Sequence, residues 1–76
     1  MYKTKVTLAL DFISPVDYQA KLTELNNDSS TLTETALDGG QRLHERTWID
    51  RQSADAWVAW ALAQTDVVSA VVEEVV

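Results

Sequence analysis

The chain has 76 residues, no cysteine and one histidine, His44, so it must fold without disulfide bonds or thiolate metal ligands. We therefore expect a single domain with no metal and no cofactor, stabilised by its packing or by a partner subunit. Six basic residues against twelve acidic ones give a net charge of −6, which opposes binding to nucleic acid or to anionic lipid.

The hydropathy pattern indicates in which cellular compartment the protein is expected. The longest apolar stretch, residues 56–63, is far shorter than the roughly 20 residues that a membrane-spanning helix needs. An apolar run follows Lys3 and Lys5, but Thr7 and Asp11 interrupt it and no small-residue cleavage pattern follows, so no signal peptide is predicted. The absence of cysteine is typical of a reducing compartment, and we expect a cytoplasmic protein.

A strand and a helix are predicted in the first third of the chain. Residues 2–12 alternate in polarity, which indicates a half-buried strand whose even-numbered apolar residues share one face. A helix follows, because Ser14 is a good N-cap and Pro15 suits the first helical position. Three apolar residues then recur at helical spacing: Tyr18, Leu22 and Leu25. The helix should end at 26–28, where Asn and Asp side chains compete for backbone hydrogen bonds.

Alternating segments on both sides of residues 38–40 predict a β-hairpin, since the two glycines there supply the positive φ angles that hairpin turns need. Two registers fit the sequence. A two-residue turn sets Glu34 opposite Glu45, and these like charges repel each other. A three-residue turn sets Glu34 opposite His44 and Thr33 opposite Glu45. We favour the three-residue turn.

The last third of the chain predicts a second helix and a fourth strand. Asp50 or Ser53 is the expected N-cap of this helix. Its apolar residues fall on one stripe: Ala54, Trp57, Val58, Ala61 and Leu62. The helix should end near residues 64–66, and the valine-rich residues 67–76 form the strand.

The element order β-α-β-β-α-β predicts a ferredoxin-like sandwich over residues 1–76, with a four-stranded antiparallel sheet and two helices on one face. Right-handed crossovers and an antiparallel hairpin place the first and third strands in the centre. The second and fourth strands are then the edges. The fourth strand is apolar on both faces and only Glu73 and Glu74 protect it, so this edge is predicted to pair with a partner.

The faces of the third strand are assigned from its apolar residues. Leu43 and Ile49 are predicted to point to the helices. The open side of the sheet then carries the alternate residues: Arg42, His44, Arg46 and Trp48. A large exposed side chain such as Trp48 favours a covering partner. Glu45 falls on the helix side, where an unpaired carboxylate is unfavourable, so either it lies beyond the helices or this assignment is wrong.

These surfaces predict a small non-enzymatic protein that acts through self-association, as a homodimer, or through another protein. The predicted interface consists of five residues: Trp48, Val68, Ala70, Val72 and Trp60. Nucleic acid and membranes are not expected partners. Nothing in the sequence supports a particular small-molecule ligand.

One constellation has the composition of a catalytic site. An imidazole beside a carboxylate is suited to proton transfer near neutral pH, and an arginine can hold a substrate carboxylate or enolate. If the protein is an enzyme, we expect His44, Glu34 and Arg46 to be its catalytic residues, with Trp48 stacking on a flat ring. Any hairpin of mixed charge makes similar pairs, and no phosphate-binding loop or nucleophile elbow is present in the sequence. We therefore favour the interpretation without catalytic residues.

Residues 46–50 (RTWID), 53–60 (SADAWVAW) and 67–72 (VVSAVV) form a strand that runs into a capped helix with small and aromatic residues. This half of the chain resembles the dimeric α+β barrel superfamily, in its antibiotic-biosynthesis monooxygenase-like members. The resemblance implies a homodimer with sheets packed face to face and a cavity between sheet and helices. It also implies the alternative function, a cofactor-free monooxygenase or isomerase acting on a small aromatic or enolisable compound. No catalytic residue is transferred from the family.

Overall fold

The computed structural model describes residues 1–9, 15–27, 32–65 and 67–75. The fold is α+β, with one open four-stranded antiparallel sheet and two helices. The elements in chain order are β1 (Tyr2–Leu8), α1 (Pro15–Glu24), β2 (Thr33–Ala36), β3 (Arg42–Trp48), α2 (Arg51–Leu62) and β4 (Val67–Glu74). The predictions that fall on Leu10, Phe12, Ser14 and Val76 lie outside the described residues.

The strand order is β2-β3-β1-β4, and each neighbouring pair is antiparallel. The prediction that the first and third strands are central and the second and fourth are edges is therefore confirmed. Neither helix in the described part of the chain is long and apolar enough to cross a membrane.

The β2–β3 hairpin closes through the predicted three-residue turn, a single 3₁₀ turn at Asp38–Gly40. Gly39 and Gly40 have φ angles of 77° and 81°, in the region that residues with a Cβ atom disfavour. This turn sets Glu34 opposite His44. The favoured register is confirmed, and the two-residue alternative is wrong.

The helix α1 begins at Pro15, as predicted, and ends in a left-handed turn. Asn26 has a φ of 57°, a conformation that asparagine tolerates better than most residues. The backbone N–H of Asn27 donates to the carbonyl of Leu22 at 2.9 Å, which closes the last turn. The side chain of Asn27 then reaches β3, where Nδ2 donates to the carbonyl of Thr47 at 3.0 Å. This hydrogen bond holds the C-terminal end of α1 against β3, one of the two central strands.

The even-numbered residues of β1 and β3 share one face of the sheet. Val6 pairs with His44 and Thr4 pairs with Arg46, and burial alternates in step along both strands. Both helices cover this face, because Tyr18 of α1 contacts His44 as well as α2. We call it the covered face, and we call the opposite side, with the odd-numbered residues of β1 and β3, the open face.

The predicted faces of β3 are therefore wrong. Leu43 lies on the open face and Ile49 is 90 % exposed, whereas Trp48 is only 3 % exposed and packs beneath the helices. Glu45 also lies on the open face, where its Oε2 is 3.3 Å from Nζ of Lys3. The sequence pattern misled because two apolar residues were assumed to point inward, while the polar residues between them find partners on α1 and α2.

The hydrophobic core lies between α2 and the centre of the sheet. Seven buried apolar residues form it: Val6, Leu8, Leu22, Trp48, Ala54, Trp57 and Ala61. The two alanines let α2 approach β1 and β4 closely. Asp50, rather than Ser53, is the N-cap of α2, since its Oδ1 accepts from the Ser53 backbone N–H at 2.9 Å.

Candidate functional site

Two polar side chains of the central strand β3 are buried on the covered face. His44 is 7 % exposed and Arg46 is 2 % exposed. Buried groups of this kind must be hydrogen-bonded, because an unsatisfied one costs about 1–3 kcal/mol. Their partners come from α1, from the residue after its last turn and from β2. Five side chains make up this polar network: Tyr18, Asn27, Glu34, His44 and Arg46.

His44 bridges α1 and β2 through its two ring nitrogens. Nδ1 lies 2.9 Å from the hydroxyl of Tyr18, and Nε2 lies 2.6 Å from Oε2 of Glu34. Arg46 has only donors, and its Nε and Nη2 approach the Tyr18 oxygen at 3.4 and 3.1 Å. The hydroxyl hydrogen of Tyr18 is therefore directed to Nδ1. In the neutral form of the imidazole, this arrangement makes Nδ1 the acceptor from Tyr18 and Nε2 the donor to Glu34.

Arg46 joins the end of α1 to the aromatic residues. Its Nη1 donates to Oδ1 of Asn27 at 3.3 Å. The guanidinium carbon lies 5.4 Å from the ring centroid of Tyr18 and 5.9 Å from that of Trp57. Contacts of this length are favourable because the face of an aromatic ring carries negative charge. The same side chain thus holds both helices to β3.

The pKa shifts in the network follow from burial and from hydrogen bonds. Burial raises the pKa of the Tyr18 phenol above its ordinary value of 10.0, and the hydrogen bond and charge of Arg46 oppose this effect. The hydrogen bond from His44 lowers the pKa of the exposed Glu34 carboxyl below its ordinary value of 4.5. At neutral pH the network therefore contains a neutral phenol that donates and a carboxylate that accepts.

The structure brings together His44, Glu34 and Arg46, the three residues that are expected to be catalytic if the protein is an enzyme. Glu34 contacts His44, and both Arg46 and His44 contact Tyr18. Sequence reasoning missed two members of the network, Tyr18 and Asn27. Tyr18 was assigned to the apolar stripe of α1, and helical spacing cannot show that its hydroxyl meets a strand 26 residues away. Among the described residues, no three His, Asp or Glu side chains are grouped so that they could hold a metal ion.

Trp48, which was predicted at an interface and as a stacking residue, is part of the core. Its Nε1 donates to Oγ1 of the buried Thr4 at 2.8 Å, and its ring centroid lies 6.1 Å from that of Trp57. Trp60 is half-buried and stacks on Trp57, with centroids 5.2 Å apart and planes inclined by 21°. Both tryptophans therefore contribute to packing within the chain.

The edge of β4 carries the other predicted interface residues. Ala70 and Val72 are half-buried and pack against the core, whereas Val68 is 55 % exposed. The register of β4 with β1 shifts between Thr7 and Leu8, so Val68 lies at an irregular step of the strand. From residue 69 onward the pairing with β1 is regular.

Backbone geometry determines which groups of β4 point outward. The N–H of Val75 donates to the carbonyl of Met1 at 2.8 Å, so residue 75 directs its backbone groups to β1. Along an antiparallel strand this direction alternates from one residue to the next. The N–H and C=O groups of Ala70, Val72 and Glu74 therefore point away from β1, along the outer edge of the sheet.

An apolar side chain of α2 lies above the same edge. Trp60 and Gln64 line a groove between α2 and α1, so their side of α2 faces α1. Leu62 lies about 200° around the helix from Trp60, on the side turned away from α1. It is 56 % exposed, and the neighbouring Val58 on that side is half-buried. Since α2 packs over β1 and β4, this side faces the outer edge of β4.

We call this surface the β4 border. It comprises the exposed side chains of Leu62, Val68 and Val71, the last of them 49 % exposed, together with the outward backbone groups of β4. Val71 lies on the open face, opposite Lys5. The rest of the open face differs from the β4 border in chemistry, because two ion pairs cross it. Lys3 pairs with Glu45 at 3.3 Å, and Lys5 pairs with Glu73 at 3.1 Å.

Comparison of the chain with protein-family models, with curated proteins and with solved structures finds no match in any of the three. Two features of the described residues bear on function: the polar network and the β4 border. Within the polar network His44 and Arg46 are buried, Tyr18 and Asn27 are half-buried, and Glu34 is exposed. In the β4 border, the side chains of Leu62, Val68 and Val71 are each about half exposed.

Proposed function

We propose that this chain is a non-enzymatic cytoplasmic protein that acts by self-association, and that its contact surface is the β4 border. The observation that carries this proposal is the coincidence of exposed apolar side chains and a free strand edge: Leu62 lies on the covered side of this edge and Val71 on its open side. Leu62, Val68 and Val71 are all about half exposed beside a strand that is paired on one side only. A strand added there satisfies the outward backbone groups and covers these side chains.

The two edges of the sheet support the choice of β4. The other edge, β2, has four residues, all exposed, and consists mainly of threonine and glutamate. β4 is twice as long and contains neither proline nor lysine, the residues that soluble proteins commonly place on edges. Its acidic residues, Glu73 and Glu74, stand at one end. Most of the strand is thus left open to pairing.

The strand order with central β1 and β3 supports a ferredoxin-like fold, and we include that assignment in the proposal. Membership of the dimeric α+β barrel superfamily is a further proposal. Its face-to-face dimer has less support than an edge contact, because Trp48 is buried away from the open face and two ion pairs cross that face. Of the predicted interface residues, Val68 has the exposure that the proposal needs.

The test is the mass of the protein in solution, measured by light scattering after size-exclusion chromatography at low micromolar concentration. We expect a dimer for the natural chain. Val71→Lys places a charge at the centre of the β4 border and should give a monomer. Thr35→Lys is the matched control, since Thr35 also lies on the open face but on the β2 edge, and it should remain a dimer. A natural chain that is a stable monomer at this concentration would contradict the proposal.

A second candidate function is favoured by the polar network, in which Glu34, His44 and Tyr18 form a continuous hydrogen-bonded chain. We propose as the alternative an enzyme of the cofactor-free monooxygenase or isomerase type, acting on a small aromatic or enolisable compound. His44, Glu34 and Arg46 are then its catalytic residues, and Arg46 holds the developing anion.

This alternative is tested by tryptophan fluorescence, because Trp57 lies beside Arg46. Flat aromatic acids and haem are titrated into the natural chain and into His44→Ala. Quenching that saturates in the natural chain and weakens in His44→Ala supports an enzyme. If no ligand changes the emission of the natural chain, the enzyme interpretation is abandoned.

A further inference from the structure

The outward groups of β4 determine how a second copy of the chain can bind. We infer that two copies pair β4 with β4 in antiparallel orientation, with Val71 of each copy on the two-fold axis. This inference rests on the proposed self-association and specifies its geometry. The result is a continuous eight-stranded sheet with all helices on the same side.

A closed dimer requires that the same surface serve both copies. A two-fold axis perpendicular to the sheet at the edge of β4 reverses the strand direction and keeps the helices of both copies on one side. In this arrangement the outward N–H and C=O groups of Ala70 and Val72 meet those of Val72 and Ala70 in the second copy. Backbone hydrogen bonds then continue from one β4 strand to the other, and the covered faces of both copies lie on the same side of the joined sheet.

Charge selects the register. With Val71 on the axis, Glu73 lies opposite Ser69 of the second copy and Glu74 lies opposite Val68. The two Glu73 residues are then about 14 Å apart, at about 3.4 Å per residue and 4.8 Å between strands, which is beyond the screening length of about 8 Å. Moving the axis to Val72 makes the two Glu73 residues diagonal neighbours, about 8 Å apart, where like charges repel.

The opposite shift of register is excluded by the irregular step at Val68. An axis at Ala70 sets Val68 opposite Val72 and thus draws the shifted part of the strand into the ladder. With Val71 on the axis, the regular segment 69–73 pairs with itself. Small and large side chains then alternate across the contact on the covered face, since Ala70 faces Val72 of the second copy.

The helices support the same arrangement. Each α2 packs over β1 and β4 of its own copy, so the axes of the two α2 helices are separated by about two strand spacings, or about 10 Å. This is the distance at which packed helices touch. The sides of α2 that meet carry Val58 and the exposed Leu62. Arg51 and Asp55, an exposed ion pair at 3.4 Å, lie on the same side, within about 20° of Leu62 around the helix. The contact in the helical layer therefore combines apolar side chains with an ion pair.

The absence of cysteine makes the register directly measurable by single-cysteine crosslinking. Val71→Cys, Ser69→Cys and Glu73→Cys are oxidised separately and analysed on a non-reducing gel. Directly opposed residues of a non-hydrogen-bonded antiparallel pair have Cα atoms about 4.5 Å apart, within disulfide range. We expect a crosslinked dimer from Val71→Cys alone, and from an equimolar mixture of Ser69→Cys and Glu73→Cys.

The outcomes separate the register from self-association itself. If the natural chain is a dimer by light scattering but Ser69→Cys or Glu73→Cys crosslinks with itself in place of Val71→Cys, the register is wrong. A crosslink that forms only between Val71→Cys and Glu73→Cys, or only between Ser69→Cys and Val71→Cys, would move the axis to Val72 or to Ala70 and would also contradict the register. If no variant and no pairwise mixture of the three crosslinks although the dimer is present, edge pairing is wrong.

Leu62→Ala adds an independent measurement, since loss of the leucine contact in both copies should raise the dissociation constant about tenfold. An unchanged constant would contradict the contact between the α2 helices.

Discussion

The two helices cover the same face of the sheet with opposite chemistry. Under α2 the contacts are apolar, and Ala54, Trp57 and Ala61 are buried against the middle of the sheet. Under α1 a polar network takes that place, where Tyr18 meets His44 on β3. One half of the interior depends on shape and apolar area, and the other half depends on hydrogen bonds between specific atoms.

This difference shows how a chain of 76 residues, which has little apolar area to bury, can hold α1 as well as α2 on the sheet. Within the described part of α1, Leu22 is the buried apolar residue. Buried polar groups contribute less net stability than apolar packing, but they define a geometry because each donor needs its acceptor. Trp57 joins the two halves, since its ring contacts Tyr18 at 5.1 Å and Trp48 at 6.1 Å between centroids.

The apolar half should show the largest loss of stability. Trp57→Ala removes the ring that touches both helices and β3, and we expect the free energy of unfolding to fall by about 3–5 kcal/mol. Urea denaturation followed by circular dichroism measures this. Trp57→Phe keeps a ring and should lose much less. Equal losses in the two variants would mean that the site tolerates a cavity and that its packing is loose.

The polar half should lose less, and through a different cause. Tyr18→Phe keeps the ring but removes the hydroxyl that donates to His44 and accepts from Arg46. We expect a loss of about 1–3 kcal/mol, the cost of withdrawing a partner from buried polar groups. Denaturation of Tyr18→Phe and of the double variant with His44→Ala measures the coupling. Strictly additive losses would contradict a network in which these residues act together.

Much of the fold could be predicted, because period and turn chemistry are local properties. The alternation in β1 and the glycines of the hairpin turn depend on neighbouring residues, and the structure agrees with them. Of the α2 stripe, Ala54, Trp57 and Ala61 are buried as predicted, whereas Leu62 at the end of the helix is exposed. The faces of β3 could not be predicted, since their assignment depends on partners far along the chain. Tyr18 and Asn27 determine that His44 and Arg46 are buried.

Only the part of the candidate site that depends on the register of the β2–β3 hairpin could be predicted. Setting Glu34 opposite His44 follows from the length of the turn, and the structure has this pair. The position of Trp48 was misjudged for the reason that applies to all of β3. A tryptophan with one buried hydrogen bond, here to Thr4, cannot be told from an exposed one by alternation alone.

Alkaline pH should weaken the polar half selectively. Burial holds the pKa of Tyr18 above 10.0 in the folded chain, so the stability that its neutral phenol contributes is fully present below pH 10. This contribution is lost as the pH rises through the folded pKa. The absorbance of phenolate at 295 nm, taken as the difference between the natural chain and Tyr18→Phe, should appear above pH 10. A difference signal that is complete below pH 10 would contradict the burial of this hydroxyl.

The smallest expected effect is at Glu34, where the polar network meets solvent. The hydrogen bond from Nε2 of His44 lowers the pKa of this carboxyl below 4.5. Its contribution to stability is therefore present above pH 4.5 and is lost as the pH falls through the folded pKa. Carboxyl-carbon NMR titration should place the midpoint below 4.5 in the natural chain and closer to 4.5 in His44→Ala. Arg42→Gln is the control, since Nη1 of Arg42 is 3.7 Å from the same oxygen and should move the midpoint less. A larger shift in Arg42→Gln than in His44→Ala would mean that surface charge, rather than the proton on Nε2, joins the network to β2.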